Sequence, residues 1–356
     1  MKAILRALRG HKEQEQPVGP PGYWHPDAAT IGRIRAAYLR TLESHVAETS
    51  HLWTANTGKQ REIHEALVDG SDRLSSLLSD PLATNLYYGV DNMAADILRQ
   101  IRPEHLGSMS IDVRNLLGQL SAALGTSRLP NPMGGTHIPA GGPDIETIES
   151  HLAAIDTVMP APVDFPNPVR GEICTAPSTR GSINHRAVHA IYQAWRLHQC
   201  APRGAATCLE IGGGTGRTAY YAAKFGLPSY TIVDLPMTSI GQACFLMATL
   251  GADKVSLFGE DDAGAVVRLR PPHWLFASGE TFDAALNCDS LPEMSRAYAM
   301  RYVAFIQKNC GAFISINHEA NDFTVRELWP GLMRFPYLMR PGYIEEFTAP
   351  GERAGS

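Results

Sequence analysis

The apolar positions of this chain change their spacing about halfway along it. In the first part they recur every three or four residues. Ile31, Ile34, Tyr38, Leu42 and Val46 form one series, and Ile63, Ala66 and Leu67 a second. Leu74, Leu77 and Leu78 precede Pro81, and Leu116, Leu117, Leu120 and Leu124 precede Gly125. That period lines one side of an α-helix, so a mainly helical region is predicted. From Thr207 onward the apolar residues come instead in short runs, near 207–211, 229–233, 254–258, 282–287 and 312–316. Strands buried on both faces read as such continuous runs, and strands alternating with helices predict an α/β fold with a doubly wound, mostly parallel sheet. Aromatic and β-branched residues between Tyr337 and Thr348, around Pro341 and Gly342, extend the strand pattern to the end.

Proline and glycine divide the chain. Residues 1 to about 25 are polar, with Pro17, Pro20 and Pro21, and are expected to form a loose tail. The stretch from Gly125 to Pro143 is too rich in both residues for regular structure and predicts a loop over a site or a hinge. A helix carrying Ile145, Ile148, Leu152 and Ile155 leads to a second connector, Pro160 to Pro168, where a boundary is expected between residues 1–165 and 166–356. A further helix, with Val188, Ile191, Tyr192 and Trp195, precedes the first strand run, and no internal repeat is present.

Length and charge narrow the classes. A chain of 356 residues with 44% hydrophobic residues can bury a sizeable core, and two domains are expected. The net charge is −5, with no long basic run or aromatic-interleaved basic patch, which argues against a nucleic-acid partner. No apolar stretch reaches the length of a signal peptide or a membrane span. The six cysteines, Cys174, Cys200, Cys208, Cys244, Cys288 and Cys310, lack C-x-x-C spacing, so reduced thiols in a cytoplasmic protein are expected.

The candidate chemistry starts at Cys208-Leu-Glu-Ile-Gly-Gly-Gly-Thr-Gly-Arg217, a buried strand turning through glycines into a helix. Gly212, Gly214 and Gly216 permit positive φ and let bare main chain approach a ligand. A dinucleotide site needs a third glycine at position 217, where Arg217 stands. What remains is acid-x-Gly-x-Gly-x-Gly from Glu210, which resembles motif I of class I S-adenosylmethionine (SAM) methyltransferases. The second run, Ser229 to Val233, ends in Asp234, Leu235 and Pro236, and Asp234 lies 18 positions after Gly216, near the spacing at which an acid reaches ribose hydroxyls. Asp234 also suits a helix N-cap. After the third run, Glu260 and Asp261 either meet the adenine or form a solvated acidic turn; after the fourth, Asn287 opens a loop running to Met294.

Together, the Glu-Ile-Gly-Gly-Gly turn, the acid-Leu-Pro strand end, Asp289-Ser-Leu-Pro-Glu293-Met294 and Asn317-His318-Glu319 resemble a family of sugar O-methyltransferases, over roughly the last half of the chain. The resemblance implies a Rossmann-like class I fold with antiparallel edge strands near the C-terminus. It also implies SAM as cofactor, held by Glu210, Gly212, Gly214, Gly216, Asp234, Leu235, Glu260, Asp261 and Asn287, and a small-molecule acceptor that is sugar-bearing. Residues 166–356 would then be the SAM-binding domain. Residues 1–165 would serve as an acceptor-site lid or a homo-oligomer contact.

Methyl transfer to a hydroxyl needs alignment and a base. His318 is the first candidate, because a neutral imidazole titrates near working pH. Asp289 and Glu293 are rival bases, or groups that orient His318, hold sugar hydroxyls or balance a sulfonium. Asp289, His318 and Glu319 together offer ligands to a divalent metal, but one histidine makes a poor magnesium cage, and no metal is assigned. His185 and His189 are spaced i, i+4, with Arg186 where a metalloprotease needs glutamate, so they read as surface or substrate-lining groups. Trp24, Trp53, Tyr87 and Tyr88 are candidates to stack on a sugar ring, and Asn85, Asn92 and Arg180 to bond its hydroxyls; ordinary packing between helices explains each singly. The open alternatives are N- or O-methylation of a non-sugar natural product, and a SAM-binding scaffold without turnover.

Overall fold

The computed structural model describes residues 23–44, 58–90, 113–126, 147–169, 175–200 and 206–348. Val46, Trp53, Asn92, Ile145, Cys174, most of the expected tail and nearly all of the Gly125–Pro143 stretch lie outside them.

Five helices come first: α1 (Ala28–Ser44), α2 (Arg61–Asp69), α3 (Leu74–Ser79), α4 (Val113–Ala123) and α5 (Ile148–Asp156). A small hairpin, β1 (Thr175–Ser178) and β2 (Gly181–Asn184), leads into α6 (His185–Cys200). Alternation then begins with β3 (Thr207–Ile211), α7 (Arg217–Lys224), β4 (Ser229–Val233), α8 (Pro236–Leu250), β5 (Val255–Ser256) and β6 (Val267–Arg270). It continues through α9 (Pro272–Ser278), β7 (Phe282–Cys288), α10 (Arg296–Asn309) and β8 (Cys310–His318) to α11 (Val325–Leu328), β9 (Met333–Pro336) and β10 (Tyr343–Phe347).

The eight-stranded sheet runs β5-β6-β4-β3-β7-β8-β10-β9. Its first six strands are parallel, and β10 lies antiparallel between β8 and β9. This is the expected doubly wound, mostly parallel sheet with antiparallel edge strands. The chain leaves β3 toward β4 and β6, then returns to place β7 on its other side. The carboxyl ends of β3 and β7 thus flank a topological switch point, where open α/β sheets bind ligands.

One expected strand is displaced. The run 254–258 contributes only the two-residue edge strand β5, and the strand beside β4 is β6, Val267–Arg270, which sequence reasoning missed. Its Arg270 is buried and paired with Asp262, while Arg268 binds Glu280 through Nη2 at 2.7 Å. Local neutralisation lets charged residues occupy an interior strand.

Strand alternation divides the core. Cys208, Tyr230, Ile232, Leu286 and Ile314 join one cluster with Ile34, Leu67, Leu78, Leu117 and Leu152 of the early helices. Leu209, Ile211, Val233 and Phe313 face the other way, against Leu275, Tyr302 and Leu328 of α9, α10 and α11. The Pro160–Pro168 connector buries Val163 and Phe165 in the first cluster. Helix α1 is fastened to the sheet edge by Arg33, which donates to both Glu260 oxygens at 2.7 and 2.8 Å and to the carbonyl of Val255 at 2.8 Å. The five described cysteines are free thiols, and burial pushes those of Cys208, Cys244 and Cys310 up to about 12. Among the described residues, no helix is long and apolar enough to cross a membrane.

Candidate functional site

A cleft of about 310 Å³ opens at the carboxyl edge of the sheet over the switch point. Gly212, Gly213 and Gly214 form one wall, and each is glycine for its own reason. Gly212 (φ +75°) donates its N–H to Val233 O at 3.0 Å, and a Cβ there would lie 2.3 Å from Ser290 Cβ. At Gly213 a Cβ would meet Ile232 Cγ2 at 2.7 Å. Gly214 (φ +55°) has only Val90 O, at 4.0 Å, near its missing Cβ, so bare backbone faces the cleft. Gly216 (φ +90°) does not line it; this residue starts α7, packed against Leu246.

Two carboxylates stand behind this turn. Glu210 is 2% exposed, lines the cleft, and accepts from Tyr230 Oη at 2.9 Å. Asp234 lines it too, accepting from the N–H of Leu235 at 2.8 Å and from Gln242 Nε2 at 2.7 Å. Burial raises both acids to about 7. Gln242, fully buried on α8, also donates to Gly214 O at 3.1 Å and so ties the glycine turn to the acid. Gln242→Leu should keep the fold and weaken any ligand spanning turn and acid by about tenfold, the worth of one hydrogen bond to a charged group. Calorimetry on the folded variant checks this, and unchanged affinity would dismiss the tie.

Leu235 lines the cleft, but Glu260, Asp261 and Asn287 do not. Glu260 is held by Arg33, and Asp261 is exposed, accepting from the N–H of Ala263 at 3.1 Å. Both were assigned to the end of a third strand at 254–258. The strand beside β4 is β6, and the residue after it that enters the cleft is Pro272. Asn287 is fully buried beneath the site, donating to Ile211 O at 3.2 Å and accepting from Asn317 Nδ2 at 2.8 Å.

The far end of the cleft is built from α6, the β7 and β8 ends and the β9–β10 turn. Asp289 (φ +58°) accepts from Arg340 Nη1 at 3.1 Å and pairs with Arg186 Nη1 at 3.6 Å through the same oxygen. His318 lines the cleft with its ring edge-on to Tyr343, centroids 5.4 Å apart. The backbone N–H of Ala320 points at its Nδ1 from 3.3 Å, long for a hydrogen bond. Glu293 also lines the cleft, so the three expected catalytic residues are brought to one cavity. Glu319 is not, because it pairs with Arg334. Among the described residues no three His, Cys, Asp or Glu groups are gathered as metal ligands.

His189, read from the sequence as a surface or substrate-lining group, lines the cleft and bonds Tyr337 Oη through Nδ1 at 2.9 Å. Burial, with Arg186, Arg340 and His185 nearby, holds it well below the ordinary histidine range, hence neutral. Trp24, Tyr87, Tyr88, Asn85 and Arg180 do not line the cleft; Arg180 pairs with Asp156 at 2.5 Å, and Tyr87 packs on Gly241. The early helical segment contributes Gly89 and Val90 instead. Sequence reasoning missed Gln193, Arg186, Gln242 and Tyr337 as well. Of these only the α6 residues had a signal, since Arg186, His189 and Gln193 recur at helical spacing.

No family model matches this chain, and no curated protein does. Among solved structures it is similar to the mitomycin 7-O-methyltransferase MmcR, at 16% identity and TM-score 0.34, over 46% of this chain and 57% of that one. It is also similar to the ribosomal protein L11 methylase of Lactobacillus delbrueckii subsp. bulgaricus, at 12% identity and TM-score 0.34, over 46% and 79% of the two chains. The magnesium protoporphyrin IX methyltransferase ChlM of Synechocystis PCC 6803, solved with bound SAM, aligns at 10% identity and TM-score 0.33 over 46% and 76%. This chain thus spans little more than half the length of MmcR.

Proposed function

We propose that this chain is a SAM-dependent methyltransferase acting on a hydroxyl of a sugar or glycosylated metabolite, with residues 166–356 holding the cofactor and residues 1–165 shaping the acceptor side. One observation carries the reading: at the switch point, a bare glycine turn and the Asp234 carboxylate are tied together by Gln242 and open, with Glu210 beside them, onto a cleft with His318 at its other end. A pyrophosphate reading is disfavoured, because Arg217 fills the position of the third glycine and is buried against Phe245. The volume and the glycine cradle fit a nucleoside bearing an amino-acid arm.

Bound SAM would supply an electrophilic methyl group on a sulfonium. The protein's share is positional. Asp234, once ionised, accepts from ribose hydroxyls, and the Gly214 backbone packs against the amino-acid arm. His318 takes the acceptor's proton as its oxygen becomes nucleophilic. Asp289 is already engaged, since two guanidiniums share its Oδ2. His189 is a poor base, because burial first and its cationic neighbours second disfavour protonation. Hydroxyl groups flanked by the Tyr337 and Tyr343 rings suit a sugar's mixed surface.

Calorimetry with SAM and S-adenosylhomocysteine, followed by assay of demethylated cofactor over a hydroxyl-bearing acceptor panel, tests the reading. No binding of either nucleoside would end it, whereas binding without turnover would favour a scaffold. His318→Ala should cut kcat by about 10²–10⁴-fold while leaving SAM affinity unchanged. Loss within about threefold would remove His318 as the base.

A further inference from the structure

Two guanidiniums share one carboxylate at the far end of the cleft. Arg186 and Arg340 both reach Asp289, and both use the single oxygen Oδ2. A guanidinium has five N–H donors in a planar fork, so one shared carboxylate oxygen leaves most of the ten unused. Among the described residues Arg186 Nε is buried without a hydrogen-bond partner. Arg340 Cζ sits over the Tyr343 ring, 4.1 Å from its centroid, a cation–π contact that restrains the guanidinium. Of the acids on the neighbouring strands, Glu345 is committed to Arg196 and Tyr192, and Glu319 to Arg334, while Glu293 shares the cleft lining.

From these contacts we infer that Arg186 and Arg340 form an oxyanion seat, and that the methyl acceptor carries a carboxylate or phosphate group beside the hydroxyl that is methylated. The inference rests on the methyltransferase reading and names its substrate class. Position assigns the seat to the acceptor, not to the cofactor. Arg340 sits in the β9–β10 turn, and β10 lies three strands from β3, roughly 14 Å at 4.8 Å per strand. A cofactor seated on the glycine turn and Asp234 extends the opposite way, toward β4. Asp289 then serves as a positioning residue that holds the two forks at the cleft, and His318, at the end of the intervening strand β8, stands beside the group they would orient.

The test uses the full chain saturated with S-adenosylhomocysteine. Inorganic phosphate and acetate are titrated in by calorimetry, with Arg340→Gln, Arg186→Gln and, as a control, Arg61→Gln, whose exposed guanidinium pairs with Glu65 outside the cleft. Millimolar oxyanion binding is expected, weakened by about tenfold or more in the two cleft variants and unchanged in the control. In the unaltered protein, phosphate should protect Arg186 and Arg340 from phenylglyoxal, read by peptide mass spectrometry; this arm stands even if a variant misfolds. Absence of both oxyanion binding and protection, or equal loss in the control, would overturn the inference. It would also fall if the cleft variants lost affinity for S-adenosylhomocysteine but kept it for 5′-methylthioadenosine, since the seat would then hold the cofactor's own carboxylate. Failure of the nucleosides to bind at all would defeat the methyltransferase reading itself.

Discussion

Gly212→Ala should weaken SAM binding by about a hundredfold while leaving a folded protein. The backbone there is left-handed (φ +75°), which costs an alanine about 1–2 kcal/mol. The added Cβ would also sit 2.3 Å from Ser290 Cβ and 2.4 Å from its Oγ. Ser290 has nowhere to go, because its hydroxyl donates to Ile211 O at 2.6 Å and accepts from Asn287 Nδ2. Relief must therefore come from the turn itself, the surface proposed to meet the cofactor. Overpacking of this kind costs about 1–3 kcal/mol more, and about 3 kcal/mol withdrawn from the binding geometry is about a hundredfold in affinity. Gly226→Ala is the control: it has the same kind of backbone (φ +85°) with nothing within 4 Å of the new Cβ, so it should lose stability alone. A Gly212→Ala protein that binds SAM within a few-fold of the parent would show that the cofactor does not rest on this turn.

Gly212 was legible in the sequence because its geometry excludes other residues, and Asp234 because it ends an unmistakable buried run. The helical first half and the parallel sheet were legible for a similar reason, since spacing alone separates a helix stripe from a strand. Legibility ended where charge hid burial. Arg268 and Arg270 interrupt the apolar run of β6, whereas 254–258 reads as the third strand, which puts Glu260 and Asp261 either at the adenine or in a solvated acidic turn. Their real work is at the sheet edge, where Glu260 anchors α1. The far end of the cleft was hidden differently. Arg186 and Arg340 are 154 positions apart in sequence and meet only because β10 inserts between β8 and β9. Gln242 resembles any polar residue on an amphipathic helix until strand order puts α8 beside the glycine turn.

Affinity for SAM should rise with pH between 6 and 8, and Asp234→Asn should remove most of that rise. Burial holds Glu210 and Asp234 at about 7, well above ordinary carboxylates, and the two interact, so they titrate as a pair. A carboxylate accepting ribose hydroxyls must be ionised, so binding at pH 6 requires a proton to leave and binding at pH 8 does not. The affinity gain approaches tenfold per pH unit below 7 for one coupled proton and flattens above it. Calorimetry in buffers of different ionisation enthalpy should report that proton's release near pH 6.5. Stability runs the other way. A folded pKa above the unfolded one means that between about 4 and 7 the native state keeps protons the unfolded chain has lost. Unfolding free energy therefore falls as pH rises through that window and levels off above it. Asp234→Asn should flatten part of that decline and gain stability at pH 8, while losing about 10–100-fold in SAM affinity there and far less at pH 6. Glu210→Gln, whose side chain is engaged by Tyr230, should flatten the stability profile with a smaller effect on the pH dependence of binding. An affinity that stays constant or weakens from pH 6 to 8 would mean that no ionised carboxylate clasps the ligand, and the role assigned to Asp234 would have to be withdrawn.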